Sequence, residues 1–86
     1  ANKSSNGQGH YNAGNSYYKQ KDYKKAIESY KKATFDKDEA RAKNYSNLGN
    51  AYAKSNALEK AVESYEKSLK IQDDKETKEN LEAVKK

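Results

Sequence analysis

The chain contains no cysteine, and this absence excludes disulfide bonds, thiolate chemistry and any zinc site built on cysteine. Large aliphatic residues are also scarce, since only eight of the 86 residues are isoleucine, leucine or valine. No apolar run approaches the roughly 18 residues that a membrane-spanning helix needs. The composition therefore predicts one small domain without membrane insertion, whose core is built largely from tyrosine and alanine.

Residues that could carry catalysis are equally few. The single histidine, His10, has no second histidine or cysteine to complete a metal cluster, and we expect it to pack in the core. Residues 7–9 contain two glycines but follow no strand, so they do not form a phosphate-binding loop. The carboxylates fall in turns or in predicted i,i+4 ion pairs such as Glu28–Lys32 and Glu63–Lys67. These patterns argue against an enzyme, and we expect no catalytic residue, metal or cofactor.

An internal repeat with an offset of 35 residues organises the chain. The segment Asn12–Thr34 aligns with Asn47–Leu69, and 11 of the 24 residue pairs from Asn12/Asn47 to Phe35/Lys70 are identical. A fixed period between about 20 and 50 residues is typical of repeat architectures. The sequence therefore predicts a pair of helical repeats.

The spacing of small and aromatic residues in each copy resembles the tetratricopeptide repeat. That family alternates helices A and B in units of about 34 residues. The matching positions are Ala13, Gly14, Tyr17, Ala26, Tyr30 and Ala33 in the first copy, and Leu48, Gly49, Tyr52, Ala61, Tyr65 and Ser68 in the second. The sequence departs from the pattern at His10, which stands where an aromatic is usual, and in lacking the closing proline. The resemblance implies an all-α fold, a right-handed superhelical stack of two helical hairpins plus a C-terminal capping helix.

The same resemblance predicts the boundaries of the domain. Residues 1–7 are expected to form a flexible segment, and residues 8–86 the repeat domain, with repeat 1 at about 8–37, repeat 2 at about 38–72 and the capping helix at about 74–86. The four helices of the repeats are predicted at about Gln8–Gln20, Tyr23–Phe35, Asp38–Lys54 and Ala57–Ile71.

Polar residues at the predicted turns indicate how the helices begin and end. Asp22 is expected to cap the second helix, and either Asp36 or Asp38 the third. Asn56 lies in the turn of the second hairpin and tolerates a left-handed backbone well. Lys21 holds the matching place in the first hairpin, so we predict that this turn is more strained.

Several positions are predicted to pack inside the stack. Gly14 and Gly49 each cost a helix about 1 kcal/mol of propensity, so we expect them where two helix backbones approach. The inward stripe of the last repeat helix is predicted to be Leu58, Ala61, Val62, Tyr65 and Leu69. Six of the eight tyrosines occupy core-facing repeat positions, and the two that do not are Tyr11 and Tyr18.

In the tetratricopeptide family the A helices line a concave groove that binds peptides. Carried onto this sequence, the groove consists of Tyr11, Asn12, Asn15, Tyr18, Lys19, Lys43, Asn47, Asn50 and Lys54, with Gln8, Ser46 and Ala53 beside them. Aromatic rings offer contact area, amides bond an extended backbone, and ammonium groups attract carboxylates. The alternative is that Tyr11 and Tyr18 pack against the N-terminal flank or a neighbouring chain.

A narrower interpretation is the carboxylate clamp of chaperone-binding family members, formed by Lys, Asn, Asn, Lys and Arg. Asn15 and Asn47 match the two asparagine places. Tyr11 stands at the first lysine place, and the third-repeat Lys and Arg have no counterpart, because Glu76, Glu79 and Asn80 lie there. Two matches of five do not support a clamp.

These observations predict a protein–protein interaction module that binds an acidic peptide segment of a partner in the groove. The alternative is a self-associating scaffold that stacks repeats between chains as a homo-oligomer. Nucleic-acid binding is not favoured, because the charges that sum to +5 are spread along the helices without a basic cluster. We expect a soluble protein, with the cytoplasm and the periplasm both open as compartments.

A second, more specific resemblance is to the repeat segments of bacterial aerotolerance-operon (Bat) proteins. The Tyr-Asn-x-Gly-Asn opening at residues 11–15 and the Asn-Leu-Glu pattern at residues 80–82 are similar to those segments. This resemblance implies a role in assembly at the cell envelope.

Overall fold

Five helices form the described part of the chain. The computed structural model describes residues 4–86, and side chains from residue 7 onward, with helices α1 Ser4–Lys19, α2 Tyr23–Lys32, α3 Asp38–Lys54, α4 Leu58–Ile71 and α5 Lys75–Lys85. Helices α1 and α2 form one hairpin, α3 and α4 form the next, and α5 packs against α4. Helix α3 contacts both α1 and α5. The predicted all-α stack of two hairpins with a C-terminal helix is confirmed.

Helix α1 begins earlier than predicted. It starts at Ser4 rather than Gln8, so residues 4–7 are helical, while residues 1–3 of the expected flexible segment lie outside the described residues. Gly7 is buried, and a Cβ on it would lie only 3.0 Å from the carbonyl carbon of Thr34 and 3.2 Å from the ring of Phe35. The extra turn is therefore packed on the α2–α3 linker. The domain limits themselves stay predictions.

Helix α2 ends earlier than predicted, at Lys32 instead of Phe35. Ala33 is already extended, and the side-chain Nδ2 of Asn44 donates to the carbonyl of Tyr30 at 3.0 Å. Phe35 turns back onto Tyr11, with ring centroids 6.0 Å apart. An amide from α3 and an aromatic contact with α1 therefore take the place of the last helical turn.

The predicted N-cap residue is confirmed for α2 but not for α3. Asp22 caps α2 as predicted, since its carboxylate accepts from the backbone N–H of Lys25 at 3.3 Å. The expected aspartate cap of α3 is wrong, because Lys37 is the N-cap residue and makes no side-chain bond there. Asp38 instead pairs with Arg41 at 3.1 Å, inside the first turn of the helix.

The intra-hairpin turns have the same left-handed conformation in both repeats. Lys21 has φ 66° and Asn56 has φ 65°, which confirms that the same backbone is adopted by two different residues. A lysine in this region strains the backbone, because its Cβ approaches the following carbonyl oxygen, whereas asparagine tolerates the conformation.

Replacing Lys21 by asparagine is therefore expected to stabilise the fold. The gain should be about 0.5–1 kcal/mol, which corresponds to a rise in Tm of about 4 °C for a domain of this size. Thermal unfolding followed by far-UV circular dichroism measures it. The reciprocal Asn56→Lys substitution should lower Tm by a similar amount, and an unchanged or lower Tm for Lys21→Asn would contradict the strain argument.

Tyrosine and alanine dominate the core, as the scarcity of aliphatic residues predicts. The buried apolar side chains form two clusters, one with Ala26, Tyr30, Leu48 and Ala51 and the other with Ala61, Tyr65 and Leu81. Tyr52 packs against both clusters and joins the hairpins. Helix α5 completes the second cluster through Leu81, so it is a structural part of the stack.

One predicted core residue is in fact on the surface. Leu58 is 44% exposed, which makes the predicted inward position wrong. Its counterpart in the first repeat is Tyr23, whose ring lies against Tyr18 at 5.3 Å between centroids. In the second repeat Ala53 replaces Tyr18 and is too small to cover the leucine.

The two glycines of the sequence repeat, Gly14 and Gly49, make room for aromatic rings and not for the backbone of a neighbouring helix. A Cβ on Gly14 would lie 2.6 Å from the ring of Tyr30, and one on Gly49 would lie 2.7 Å from the ring of Tyr65. The prediction of a close approach is confirmed, but its cause is different. In each hairpin the ring of the buried B-helix tyrosine packs against the glycine of the A helix.

Charges on the surface pair differently from the prediction. Within the described residues the ion pairs are Arg41–Asp38 and Lys78–Asp73, and the predicted i,i+4 pairs do not form. The ammonium of Lys67 lies 5.6 Å from the ring centroid of Tyr45 instead. These exposed contacts contribute little to stability, because water screens them.

Candidate functional site

A groove runs along the side of the molecule formed by α1, α3 and α5. Three adjoining concavities follow it. Asn47 lines the first and the second, and Tyr18 and Asn50 line the second and the third. The structure brings together eight of the nine residues predicted for the groove, which are Tyr11, Asn15, Tyr18, Lys19, Lys43, Asn47, Asn50 and Lys54. Their use as a binding site stays a prediction.

Asn12 is the predicted groove residue that does not join the others. It is exposed, and its Oδ1 accepts a bond from the side chain of Gln8 one turn earlier, at 2.9 Å. Neither residue lines a groove concavity. The reason is the position of Asn12 on the helix, which turns its side chain away from α3.

A hydrogen-bond network in the middle of the groove connects both repeats. The Tyr30 hydroxyl donates to Oδ1 of Asn15, and Nδ2 of Asn47 donates to the same oxygen at 3.3 Å. Nδ2 of Asn47 also donates to the hydroxyl of Tyr11 at 2.8 Å. Two aromatic residues and two amides therefore hold one another in place across α1, α2 and α3.

The same arrangement recurs one repeat later. The Tyr65 hydroxyl donates to Oδ1 of Asn50, and Nδ2 of Asn80 on α5 donates to that oxygen at 3.3 Å. Tyr65 and Asn50 lie 35 positions after Tyr30 and Asn15, so the network follows the sequence repeat. Helix α5 thus takes the role of a third A helix.

Burial keeps the tyrosine hydroxyls of these networks protonated. The pKa of Tyr65 is raised to about 12, chiefly by burial and also by the nearby Tyr18. Burial likewise raises the pKa of Tyr30, with a further contribution from Tyr11 and Tyr18. Because each hydroxyl donates to an Oδ1, the orientation of the Asn15 and Asn50 amides is set, and their Nδ2 groups are neither buried nor bonded to another described residue.

Tyr11 and Tyr18 are less distinct from the other tyrosines than the sequence indicates. Both are half-buried and pack against the first core cluster, as do Tyr17, Tyr45 and Tyr52. The Tyr11 ring lies 6.0 Å from that of Tyr30, and the Tyr18 ring contacts Tyr23. Each therefore offers only one part of its surface to the groove. The Tyr11 ring also packs on Phe35, and its hydroxyl accepts from Asn47 of α3.

The charged side chains that line the groove fall into two groups, one at each end. The carboxylate end, at the start of α3 and α5, is lined by Glu39, Asp74 and Glu76 with a single cation, Lys43. The lysine end, at the last turns of α1 and α3, is lined by Lys19 and Lys54, without a carboxylate among the described lining residues.

Hydrogen bonds hold one of these carboxylates in place. Asp74 caps α5 by accepting from the backbone N–H and the hydroxyl of Thr77, and Thr77 is itself bonded to Ser46 at 2.8 Å. These bonds from Thr77, with the nearby charge of Lys43, lower the pKa of the Asp74 carboxyl. Glu39 and Glu76 are exposed.

The sequence prediction missed the contribution of α5 to the groove. Asn80, Ala83 and Val84 line the lysine end, and Glu76 and Thr77 line the carboxylate end. The signal that could have found them is the position of Asn80, 30 residues after Asn50, which is close to the 32 residues that separate Asn15 from Asn47. Helix α5 lacks the glycine and tyrosine of an A helix, so the sequence indicated only a cap.

Two further observations bear on the class of protein. Among the described residues no three His, Asp or Glu side chains come together as a metal-binding group. No helix of the described part of the chain is both long and apolar enough to cross a membrane. His10 is half-buried on α1.

Stacked antiparallel helix pairs with a groove along one side define a helical-repeat scaffold. The family model of the tetratricopeptide repeat matches residues 7–34 and 42–75, well over half of the chain. This protein belongs to the tetratricopeptide repeat family. Such repeats are generally protein–protein interaction modules and are typically non-enzymatic. No curated protein matches the chain, and the resemblance to Bat segments stays a prediction.

Proposed function

We propose that the groove of α1, α3 and α5 binds an extended peptide segment of a partner protein. The observation that carries this proposal is the pair of asparagine networks along the groove. In each network one Oδ1 already accepts two hydrogen bonds, so the Nδ2 group of the same side chain, on Asn15 or Asn50, is left to donate to a ligand. Two oriented amides, one per repeat, suit the carbonyls of a peptide backbone.

The networks also reduce the cost of binding. A side chain that is already held in one conformation loses little entropy when a ligand arrives, so more of the interaction energy appears as affinity. Asn15 and Asn50 are fixed by a buried tyrosine below and by an asparagine from the next helix beside them. The exposed parts of Tyr18 and Val84 add apolar contact at the lysine end.

The lysine end gives the peptide its charge preference. Lys19 and Lys54 face the groove with no carboxylate among the described lining residues there, so a peptide carboxylate gains attraction without displacing an existing ion pair. Lys43 contributes less, because Glu39, Asp74 and Glu76 surround it. We therefore propose that an acidic part of the peptide lies at the lysine end.

An amide NMR titration with a pool of acidic peptides tests this proposal. We expect chemical-shift changes at Asn15, Tyr18, Asn47, Asn50 and Lys54, and none on the outer faces of α2 and α4. In the Asn15→Asp variant the oxygen that accepts from Tyr30 and Asn47 is kept, but the Nδ2 donor is replaced by a second acceptor oxygen. Affinity should fall by about fivefold or more, the effect of one hydrogen bond.

The matched control is Asn12→Asp, which adds the same charge three residues away on the same helix but outside the groove. It should leave affinity within about threefold of the original, because an exposed, hydrated charge outside the groove lining interacts only weakly with the peptide through water. If the two variants lost affinity equally, the added negative charge alone would explain the effect of Asn15→Asp. Peptides that leave every groove amide unchanged would refute the proposed function.

Self-association is the second candidate, favoured by the unpaired side of α1. In α3 the residues Tyr45, Leu48 and Tyr52 pack against the preceding hairpin. Their counterparts on α1 are His10, Ala13 and Tyr17, a smaller and more polar face. A second copy could stack there. A molar mass that rises with concentration, with line broadening confined to this face, would favour the scaffold over the peptide groove.

A further inference from the structure

The two ends of the groove carry opposite charges, and their separation along α3 follows from helix geometry. Asn47 lies at the middle, with Glu39 eight residues before it and Lys54 seven residues after it. At a rise of about 1.5 Å per residue, these two side chains are attached about 22 Å apart. Glu76 and Lys19 lie closer to the middle, since Thr77 bonds Ser46 and Asn15 bonds Asn47.

An extended peptide covers about 3.3 Å per residue, so the charged ends of the groove match residues about three to seven positions apart. We propose that the ligand is a bipolar peptide, with acidic residues at the lysine end and basic residues at the carboxylate end, about five positions apart. This inference rests on the peptide-binding role proposed above and names the ligand more closely. A uniformly acidic peptide would place like charges beside Glu39 and Glu76.

The charge pattern also fixes the direction of the peptide. A groove with one positive and one negative end holds the acidic end of a bipolar chain at the lysines. A chain of the opposite order matches these charges only with its backbone running the other way, so its carbonyls take different positions relative to the Nδ2 groups of Asn15 and Asn50. Peptides of the same composition but opposite order should therefore bind with different affinities. This consequence separates the proposal from a simple preference for acidic ligands.

Helix ends provide a competing explanation for the same charges. Carboxylates near the start of a helix and lysines near its end offset the helix dipole, whatever the groove binds. Helix α4 supplies a matched control, because it has Glu59 in its first turn and Lys70 in its last. The corresponding residues of α3 are Glu39 and Lys54. Glu59 and Lys70 line none of the groove concavities.

The experiment uses capped peptides with two glutamates at one end and two lysines at the other, in both orders, together with all-acidic, all-basic and uncharged peptides of the same length. We expect one bipolar order to bind about three- to tenfold more tightly than the other four peptides. In the double variant Glu39→Lys with Lys54→Glu, each end of the groove carries as many positive as negative side chains, so the two bipolar orders should bind with equal affinity. The double variant Glu59→Lys with Lys70→Glu should keep the original order and affinity.

The outcomes separate the inference from the function on which it rests. An all-acidic peptide that binds as tightly as either bipolar one, or a preferred order that survives the α3 charge swap, would overturn the bipolar ligand and leave the peptide groove intact. The same holds if both double variants lose equal thermal stability and neither changes affinity, since the charges would then serve the helix ends alone. If no peptide perturbs a groove amide, both proposals fail.

Discussion

The Tyr65→Ala variant is expected to lose most of the stability of the domain. The side chain of Tyr65 is 2% exposed, fills the second core cluster with Ala61 and Leu81, and lies over Gly49. Removing a buried aromatic ring leaves a cavity and costs about 3–5 kcal/mol. The free energy of unfolding of a small domain is only about 5–15 kcal/mol in total. Urea unfolding followed by far-UV circular dichroism measures the loss.

The matched variant Tyr65→Phe keeps the ring and removes only the hydroxyl that donates to Asn50. Its cost should be about 0.5–1.5 kcal/mol, the contribution of one hydrogen bond. The same variant frees Asn50 from one of its two donors, so it should also loosen the lysine end of the groove. If Tyr65→Ala were no more destabilising than Tyr65→Phe, the ring would not be the core element that its burial indicates.

The second large effect is expected from a single methyl group at Gly49. The Cβ of an alanine there would lie 2.7 Å from two atoms of the Tyr65 ring, closer than van der Waals contact allows. The ring is buried and has no room to move, so overpacking should cost about 1–3 kcal/mol. The higher helix propensity of alanine offsets about 1 kcal/mol of this cost. We expect a net loss of up to about 2 kcal/mol in urea unfolding.

Gly9 provides the control for this substitution. It lies within α1, is exposed, and a Cβ built on it meets nothing within 4 Å. Gly9→Ala should therefore show the propensity term alone and stabilise the domain by about 0.5–1 kcal/mol. Opposite signs for the two glycine variants are the expected result. A stabilising Gly49→Ala would mean that the tyrosine ring can move aside.

The sequence repeat was sufficient to predict which residues share an environment. The 35-residue offset pairs Gly14 with Gly49, Tyr30 with Tyr65 and Asn15 with Asn50, and the structure gives each pair the same contacts. It also pairs Lys21 with Asn56, whose φ values differ by one degree. These agreements follow because the backbone of a repeat is set by local periodicity and turn length, which a sequence records directly.

The prediction was least accurate where one repeat differs from the other. Leu58 was expected in the core as part of the inward stripe of α4, but its exposure depends on Ala53 in place of Tyr18. The end of α2 depends on Asn44, which donates to Tyr30 from another helix. The bond from Asn44 leaves no local pattern, because it joins a side chain of α3 to the backbone of α2, 14 positions earlier in the chain. Comparing the two repeats position by position would have indicated that Leu58 is exposed, but not that Asn44 bonds to α2.

By itself, the sequence determined the class of fold, the family, the repeat register and the faces of α1 and α3 that form the groove. Only the tertiary structure determined which side chains meet in the groove. It brought Asn80 of α5 to Asn50, joined Asn47 to both Asn15 and Tyr11, and separated Glu39 and Glu76 from Lys19 and Lys54. The physical reason is that periodicity fixes the face of a helix on which a side chain lies, whereas packing of one helix against another fixes its neighbour.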